Sequence, residues 1–166
     1  MAIETDRGEV FGSFTSHTWR NHYGFYGAAP AFVWKMRHSR QTKCVSLFDQ
    51  AQLESIIDVF MFSGHNEFLQ VCRHDMIAIG GDDSLAAMRG EDDLNALDEC
   101  ESFRASHREE NFNGRSGFAI ALEDDLLRGT TSPCATFKSP SLCGPGSESE
   151  IFHVAGLEMW TLTPCR

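Results

Sequence analysis

Short aromatic and β-branched segments, each ended by glycine or a polar turn, recur along the whole chain. The first two lie at residues 3–5 and 10–14 and flank a polar stretch that contains Gly8, which predicts a β-hairpin. Further segments of this kind lie at residues 25–27, 31–36, 59–62, 68–71, 76–79, 117–122, 135–137 and 151–162. Strands this short, separated by turns, predict a mainly β fold of the α+β class: a two-sheet antiparallel β-sandwich flanked by short helices.

For two of these strands the sequence also predicts which face is buried or where a bulge lies. Phe32, Trp34 and Met36 share one face by the two-residue period of a strand, so we expect that face in the core. In the last strand, residues 155–156 join a small residue to a glycine, which predicts a β-bulge that switches the side-chain phase.

One helix is predicted early in the chain, over residues 49–57, with Asp49 as its N-cap. Its apolar positions follow the i, i+3, i+4 spacing of a buried helix face and are Leu53, Ile56 and Ile57. A second helical stretch, rich in acids, is expected within residues 91–115, as an insertion lying on the sandwich.

The size and composition indicate one packed globular domain. The chain has 166 residues, of which 42% are hydrophobic and 11% aromatic, too apolar for a disordered protein. No run approaches the roughly 20 apolar residues of a membrane helix, and the first residues lack a leader pattern. Six cysteines are spread singly, without C-x-x-C pairs, which favours free thiols over disulfides. We therefore predict a soluble, cytoplasmic protein.

The net charge of −10 is unevenly distributed. Residues 82–125 hold thirteen acids and four bases, so this stretch carries nine of the ten surplus negative charges. An acidic surplus repels phosphate backbones and argues against nucleic-acid binding. The basic side chains that could serve as a partner-binding patch are Lys35, Arg37, Arg40 and Lys43. The alternative interpretation of this patch is a solvated strand end and loop.

Motifs of known enzyme classes are missing: the sequence has no G-x-S-x-G elbow, Walker loop, G-x-G-x-x-G or H-E-x-x-H. Cys72, His74 and Asp75 could supply a nucleophile, a base and an acid, but neighbouring side chains around a turn point apart. We therefore predict a protein that is not an enzyme and has no catalytic residue.

Metal binding is a weak alternative, so no metal or other cofactor is predicted. Cys134 and Cys143 with His153 or His65 could bind zinc, but no pair has the close spacing typical of structural zinc sites. Acidic clusters at residues 82–83, 91–93 and 123–125 could bind calcium, but they lack the alternating ligands of an EF-hand loop.

Glu158 lies among apolar residues of the last strand. If it is buried, its carboxylate needs a partner, and we expect a structural anchor rather than a catalytic group. Gly80 and Gly81 are interpreted as a backbone turn with positive φ rather than a phosphate-binding loop.

Taken in their order along the chain, several of these segments resemble the TLDc domain. This is the module found at the C-terminus of oxidation-resistance proteins and in TBC- and LysM-associated relatives. The segments are VFGSF at 10–14, FYG at 25–27, AFVW at 31–34, AIGG at 78–81, CATF at 134–137 and LEMW at 157–160. The resemblance implies structural anchor roles for Gly12, Trp19, Gly27, Gly80, Gly81, Gly129, Phe137, Glu158 and Trp160. On this basis residues 1–166 form one TLDc-like domain without the family's usual N-terminal helical stretch, and residues 91–115 are an acidic insertion.

The resemblance implies a regulatory interaction module without an established cofactor. Members of the family bind the vacuolar proton-pumping ATPase and are linked to protection against oxidative stress, so we expect this chain to dock on that V-ATPase and regulate it. A first alternative is a structural component of a cytoskeletal or ciliary, microtubule-associated assembly, in which a neighbour covers the face left by the missing helical stretch. A second is a thiol-based antioxidant that uses an exposed cysteine, Cys143 or Cys165.

Overall fold

The fold was analysed in a computed structural model, which describes residues 1–82, 85, 117–144, 146 and 148–161. This part of the chain forms ten β-strands and one α-helix. In chain order they are β1 (Ala2–Thr5), β2 (Val10–Thr15), β3 (His22–Tyr26), β4 (Ala31–Met36), α1 (Leu47–Glu54), β5 (Ile57–Met61), β6 (Gln70–Arg73), β7 (Met76–Ile79), β8 (Ile120–Glu123), β9 (Arg128–Thr131) and β10 (Glu150–Glu158). The predicted insertion at residues 91–115 lies outside the described residues.

All ten strands belong to one antiparallel sheet in the order β3-β6-β7-β8-β9-β10-β1-β2-β4-β5. The long strand β10 joins its two halves, because residues 150–153 pair with β9 and residues 154–158 pair with β1. The mainly β fold is therefore confirmed, but two separate sheets are not, since β10 belongs to both halves.

The register of β10 shifts where it passes from one half to the other. Glu4 pairs with Gly156, whereas the next residue, Thr5, pairs with Val154, so Ala155 is the extra residue of a bulge. This confirms the bulge predicted at residues 155–156.

A single main core lies between the two halves of the sheet. Ile3, Phe11 and Val33 of one half pack in the same cluster as Ile120 and Phe152 of the other. The rings of Phe11 and Phe152 meet edge to face, with centroids 5.0 Å apart, which is a favoured aromatic geometry. A second, smaller cluster contains Val71, Met76, Ala78, Leu85, Phe118 and Ala121.

The buried face of β4 is the opposite of the predicted one. Ala31 and Val33 are buried, whereas Phe32, Trp34 and Met36 are only half-buried on the outer face. The two-residue period identifies both faces of a strand but does not say which one meets the other half of the sheet. Here the larger side chains were assigned to the core, and that prediction is wrong.

The helix begins and ends earlier than predicted. Ser46 is the N-cap of α1, because its hydroxyl accepts the backbone N–H of Asp49 at 3.1 Å, so the cap prediction for Asp49 is wrong. The helix ends at Glu54, and Ile57 already belongs to β5. No residue of α1 is buried, which also contradicts the predicted apolar helix face.

In the C-terminal third of the chain, the observed secondary structure differs from the predicted one in two places. Residues 135–137 form a turn rather than a strand, closed by an isolated bridge between Cys134 and Ser139. Strand β9, with the sequence RGTT, has no counterpart among the predicted strands because it holds a glycine and no aromatic or long apolar residue. Within the described residues, no helix has the length and apolar character needed to cross a membrane.

Candidate docking surface

The connection from β4 to α1, residues 37–46, carries three of the four predicted partner-binding residues and is held by the β1–β2 turn. The backbone N–H of Arg40 donates to the carbonyl oxygen of Gly8 at 2.8 Å, and the Ser39 hydroxyl donates to that of Arg7 at 2.7 Å. The approach is close: a Cβ at Gly8, whose φ is +72°, would lie 2.9 Å from Oγ of Ser39. The turn therefore fixes the position of this connection.

Acidic neighbours partly neutralise the predicted basic patch. Arg37 donates to Oδ1 of Asp58 at 2.8 Å, and this hydrogen bond lowers the pKa of the Asp58 carboxyl. Arg40 donates to Glu4 and lies 3.8 Å from Oε1 of Glu54. The two arginines are thus engaged within the domain, and reversing their charge would break these contacts as well as any contact with a partner.

The two lysines of the patch differ in setting. Lys35 is half-buried and its Nζ donates to the carbonyl oxygen of Ser141 at 3.4 Å, whereas Lys43 is exposed. Lys35 lines a cleft of about 250 Å³ together with Glu9, whose Oε1 accepts the N–H of Gly144 at 2.8 Å. Lys43 is therefore the predicted basic residue best placed to meet a partner.

Large apolar side chains are exposed to solvent just before and at the start of α1. Val45 is 100% exposed, Leu47 86% and Phe48 76%. Together with the exposed Lys43 they lie within residues 43–48, and we call these four residues the helix-entry surface. Contiguous exposed apolar residues of this kind mark interaction sites in soluble proteins.

The sequence carries a signal for this surface that the helix prediction did not use. A helix turns 100° per residue, so Leu47 and Phe48 lie on different sides of α1 from Leu53, the first residue of the predicted buried stripe. A helix with apolar residues on several sides and acids between them does not present one clean core face.

A second exposed apolar group lies on the last strand of the sheet. The side chains of Ile57, Val59 and Met61 are 49%, 46% and 57% exposed, and we call these three residues the β5 edge. The adjoining outer face is aromatic, with the rings of Phe14 and Phe32 stacked at 5.2 Å between centroids. Of the eleven exposed large apolar residues among those described, seven lie within residues 45–61, in and next to α1 and β5.

The nine predicted anchors fall into three groups by burial. The exposed ones are Glu158 and Trp160 and the half-buried ones are Trp19 and Gly27, while the buried ones are Gly12, Gly80, Gly81, Gly129 and Phe137. Their roles as anchors remain predictions.

The Gly80–Gly81 turn is held by one buried hydroxyl. Oγ1 of Thr136 accepts the N–H of Gly81 at 2.9 Å, and its proton has two acceptors within 2.8 Å, the carbonyl oxygen of Gly81 and Oδ1 of Asn66. Gly80 has a φ of +70°, as expected from the sequence for this turn. Residues far apart in the chain are thereby tied together in the core.

Glu158 is exposed, so the expectation of a buried carboxylate is wrong. Leu157 packs against the main core, and consecutive side chains of a strand point to opposite faces, which turns Glu158 outward beside its partner Ala2. Trp160, two residues on, is also exposed.

The four described cysteines, Cys44, Cys72, Cys134 and Cys143, are free thiols, as predicted. Cys143 is buried, and burial raises the pKa of its thiol to about 12, helped by the negative charges of Glu9 and Glu150. Since the thiolate is the reactive form, the prediction of an exposed, reactive Cys143 is wrong. Burial also raises the pKa of Cys134 and of Cys72, while Cys165 lies outside the described residues.

The remaining predicted groups are the residues of the β6–β7 turn and the candidate metal ligands. Arg73 donates two hydrogen bonds of 3.1 Å to the carboxylate of Asp75, so in the β6–β7 turn that carboxylate faces an arginine. Among the described residues, no three side chains of His, Cys, Asp and Glu lie close enough together to hold a metal ion. The zinc and calcium alternatives therefore gain no support from these residues.

Comparison with known proteins gives a family and several relatives. The family described as the TLDc domain matches residues 1–163. Oxidation resistance protein 1 of Yarrowia lipolytica is 27% identical over 163 residues, which cover 96% of this chain and 48% of the relative. The protein of the same name is 23% identical in Kluyveromyces lactis, with 52% of the relative covered, and 25% identical in Homo sapiens, with 12% covered. The chain thus spans about half the length of the yeast relatives and a smaller part of the human one.

Proposed function

Because the chain belongs to the TLDc domain family, we propose that it is a non-enzymatic interaction module that docks on a large cytosolic assembly and contributes to oxidative-stress resistance. The names of the relatives support the stress-resistance part, since each matches across 96% of this chain. The first candidate for the assembly is the vacuolar-type proton-pumping ATPase, whose regulation the resemblance to the family implies.

The observation that carries the docking proposal is the helix-entry surface. Leu47 and Phe48 are exposed in the first turn of a capped helix that buries none of its own residues, and the exposed Val45 directly precedes the cap. A folded domain gains nothing in stability from such residues, whereas a partner groove that covers them removes apolar area from water. With Lys43 beside them, the matching partner surface is an apolar groove with an acidic rim.

Docking is favoured over thiol chemistry by the state of the cysteines. Cys134 and Cys143 are buried, and the pKa of each thiol is raised. A protective reaction with oxidant would need an accessible thiolate at neutral pH. Protection through a partner places no such demand on these residues.

The test is binding of the whole chain to purified V-ATPase, with Leu47→Asp/Phe48→Asp as the docking variant. Both side chains are exposed in the free domain, so the variant should fold normally and bind at least about tenfold more weakly. Leu127→Asp is the matched control, since Leu127 is 63% exposed and lies in the β8–β9 turn, outside the helix-entry surface. Lys43→Glu should weaken binding without disturbing either arginine pair.

Binding of the docking variant equal to that of the control would contradict the assignment of this surface. Absence of binding by the unmutated chain would contradict the choice of assembly. Survival of cells under peroxide is a separate readout: the docking variant should lose protection in parallel with binding, and Cys143→Ala should keep it. Protection that survives the loss of binding would separate stress resistance from docking.

A further inference from the structure

β5 is the last strand of the sheet, and its register with β4 determines where its backbone groups point. The N–H of Arg37 donates to the carbonyl oxygen of Ile56, and that of Phe62 donates to Ala31, each at 3.0 Å. In an antiparallel ladder every second residue bonds to the neighbouring strand, so residues 56, 58, 60 and 62 face β4. The N–H and C=O groups of residues 57, 59 and 61 therefore point away from the sheet.

These outward groups belong to the β5 edge, whose side chains are also exposed. No backbone hydrogen bond ties Ile57, Val59 or Met61 on this side to another described residue. Native edge strands are commonly protected by proline, by lysine or by an inward-pointing charge. The segment IDVFM has no proline and no lysine, and its one charge, Asp58, is engaged by Arg37. The β5 edge thus has both the hydrogen-bonding groups and the apolar side chains to accept another strand.

The spacing of these residues fits a second copy of the same strand. If two β5 strands pair antiparallel about a two-fold axis at Val59, each Val59 lies opposite the other, and each Ile57 lies opposite Met61 of the second copy. All three outward residues of both strands then exchange hydrogen bonds, six in total by this register. The side chains of both copies lie on the same outer face, because the axis is perpendicular to the sheet.

Other registers are less favourable for identical strands. A register centred on residue 58 places Asp58 directly opposite Asp58 of the second copy, and like charges in that position destabilise a strand pair. A register centred on residue 60 leaves Ile57 without a partner within the strand. The register centred on Val59 is therefore the most favourable of the three.

We propose that the β5 edge is a homodimer interface in which two copies of this chain join their sheets through antiparallel β5–β5 pairing centred on Val59. This interface is independent of the proposed function, since the helix-entry surface is formed by different residues. It also covers the outward backbone groups of an edge that would otherwise accept foreign strands.

The test uses two double variants that remove the same apolar residues but differ in the charge that they place across the axis. In Ile57→Lys/Met61→Glu each lysine faces a glutamate of the second copy, whereas in Ile57→Lys/Met61→Lys it faces a lysine. Sedimentation of the whole chain over a concentration series should show a dimer for the unmutated chain and the Lys/Glu variant. The dimer dissociation constant of the Lys/Lys variant should be at least about tenfold higher than that of the Lys/Glu variant, and this difference should be largest at low salt.

Hydrogen exchange gives a second measurement at residue level. On dimerisation the amides of residues 57, 59 and 61 should become protected, whereas those of 58 and 60 already bond to β4 and should change little. The matched control is Leu47→Asp, which should leave the dimer intact.

Three results would overturn the proposal. The first is an unmutated chain that stays monomeric throughout the series, which would assign the edge to a strand of another protein. The second is an equal effect of the Lys/Glu and Lys/Lys variants on the dimer. The third is a dimer that Leu47→Asp dissolves, since the interface would then lie at the helix-entry surface.

Discussion

Replacing Gly129 by alanine should destabilise the fold by a steric conflict that can be read directly from the structure. Gly129 lies in β9, between β8 and β10. A Cβ at this position would lie 2.4 Å from the carbonyl oxygen of Ala121 and 2.4 Å from Cζ of Phe152, closer than real Cβ contacts allow. One of these atoms is backbone of a paired strand, and the other belongs to a ring that is fixed against Phe11.

The size of the effect follows from what has to move. Overfilling a packed core destabilises proteins by about 1–3 kcal/mol. Because neither the β8 backbone nor the Phe152 ring has free space, we expect the upper part of this range, about 3 kcal/mol. In a chain of this length each kcal/mol lowers the melting temperature by about 2–4 °C, so Gly129→Ala should melt about 6–12 °C below the unmutated protein.

Two other glycines separate the steric term from backbone effects. In β10, the Cβ of Gly156→Ala would lie 3.7 Å from that of Glu4, an ordinary contact, so this variant should be neutral or stabilised by less than about 1 kcal/mol. Gly64 has nothing within 4 Å of its Cβ position but a φ of +72°, so Gly64→Ala should lose about 1 kcal/mol through backbone strain alone. The expected order of stability is Gly156→Ala, then Gly64→Ala, then Gly129→Ala.

Thermal and urea unfolding followed by circular dichroism would measure this series. The reasoning is refuted if Gly129→Ala melts together with Gly156→Ala, because the sheet would then have room that the structure does not show. It is also refuted if Gly64→Ala is the least stable of the three, because backbone strain would then outweigh the steric conflict.

Two further predictions concern buried polar groups. Thr136→Val removes the hydroxyl that bonds Gly81 and Asn66 and should lower the free energy of unfolding by about 2–3 kcal/mol, whereas Thr136→Ser should recover most of it in the same assay. Since the thiol of Cys143 has its pKa raised from 9.0 to about 12 in the folded state, the folded protein binds the extra proton between these values. The contribution of the Cys143 thiol to the stability of the fold is therefore complete below pH 9 and is lost as the pH rises towards 12. Cys143→Ala should show a shallower loss of melting temperature over this interval, and iodoacetamide at pH 8 should label Cys143 only after unfolding.

The features that could be predicted from the sequence are those that local chemistry determines. A polar turn with Gly8 between two β-forming segments specified the β1–β2 hairpin, and Gly80 has the positive φ expected of it. The bulge at Ala155 was also predicted, since a small residue next to a glycine interrupts the alternation of the strand.

The features that could not be predicted depend on contacts between distant segments. The alternation in β4 contains Ala31 and Val33 on one face and Trp34 on the other, and only the packing against β8 and β10 decides which face is buried. In the same way, β9 is a strand because β8 and β10 pair with both of its edges, although it contains a glycine and no aromatic or long apolar residue. Long-range pairing here overrides local preference.

The docking and dimer surfaces both contain large apolar residues that the fold leaves exposed to solvent. Ile57 belonged to the predicted buried face of a helix but is exposed in β5, and Leu47 and Phe48, in the first turn of α1, are exposed as well. When an apolar residue that the sequence pattern places in the core is in fact buried, its contribution to the stability of the domain explains why it is apolar. When several neighbouring apolar residues are exposed against the sequence pattern, burial by a partner is the explanation that both proposals give. This disagreement is concentrated in α1 and β5, which is why both proposals are made there and not at the acidic or cysteine-containing segments.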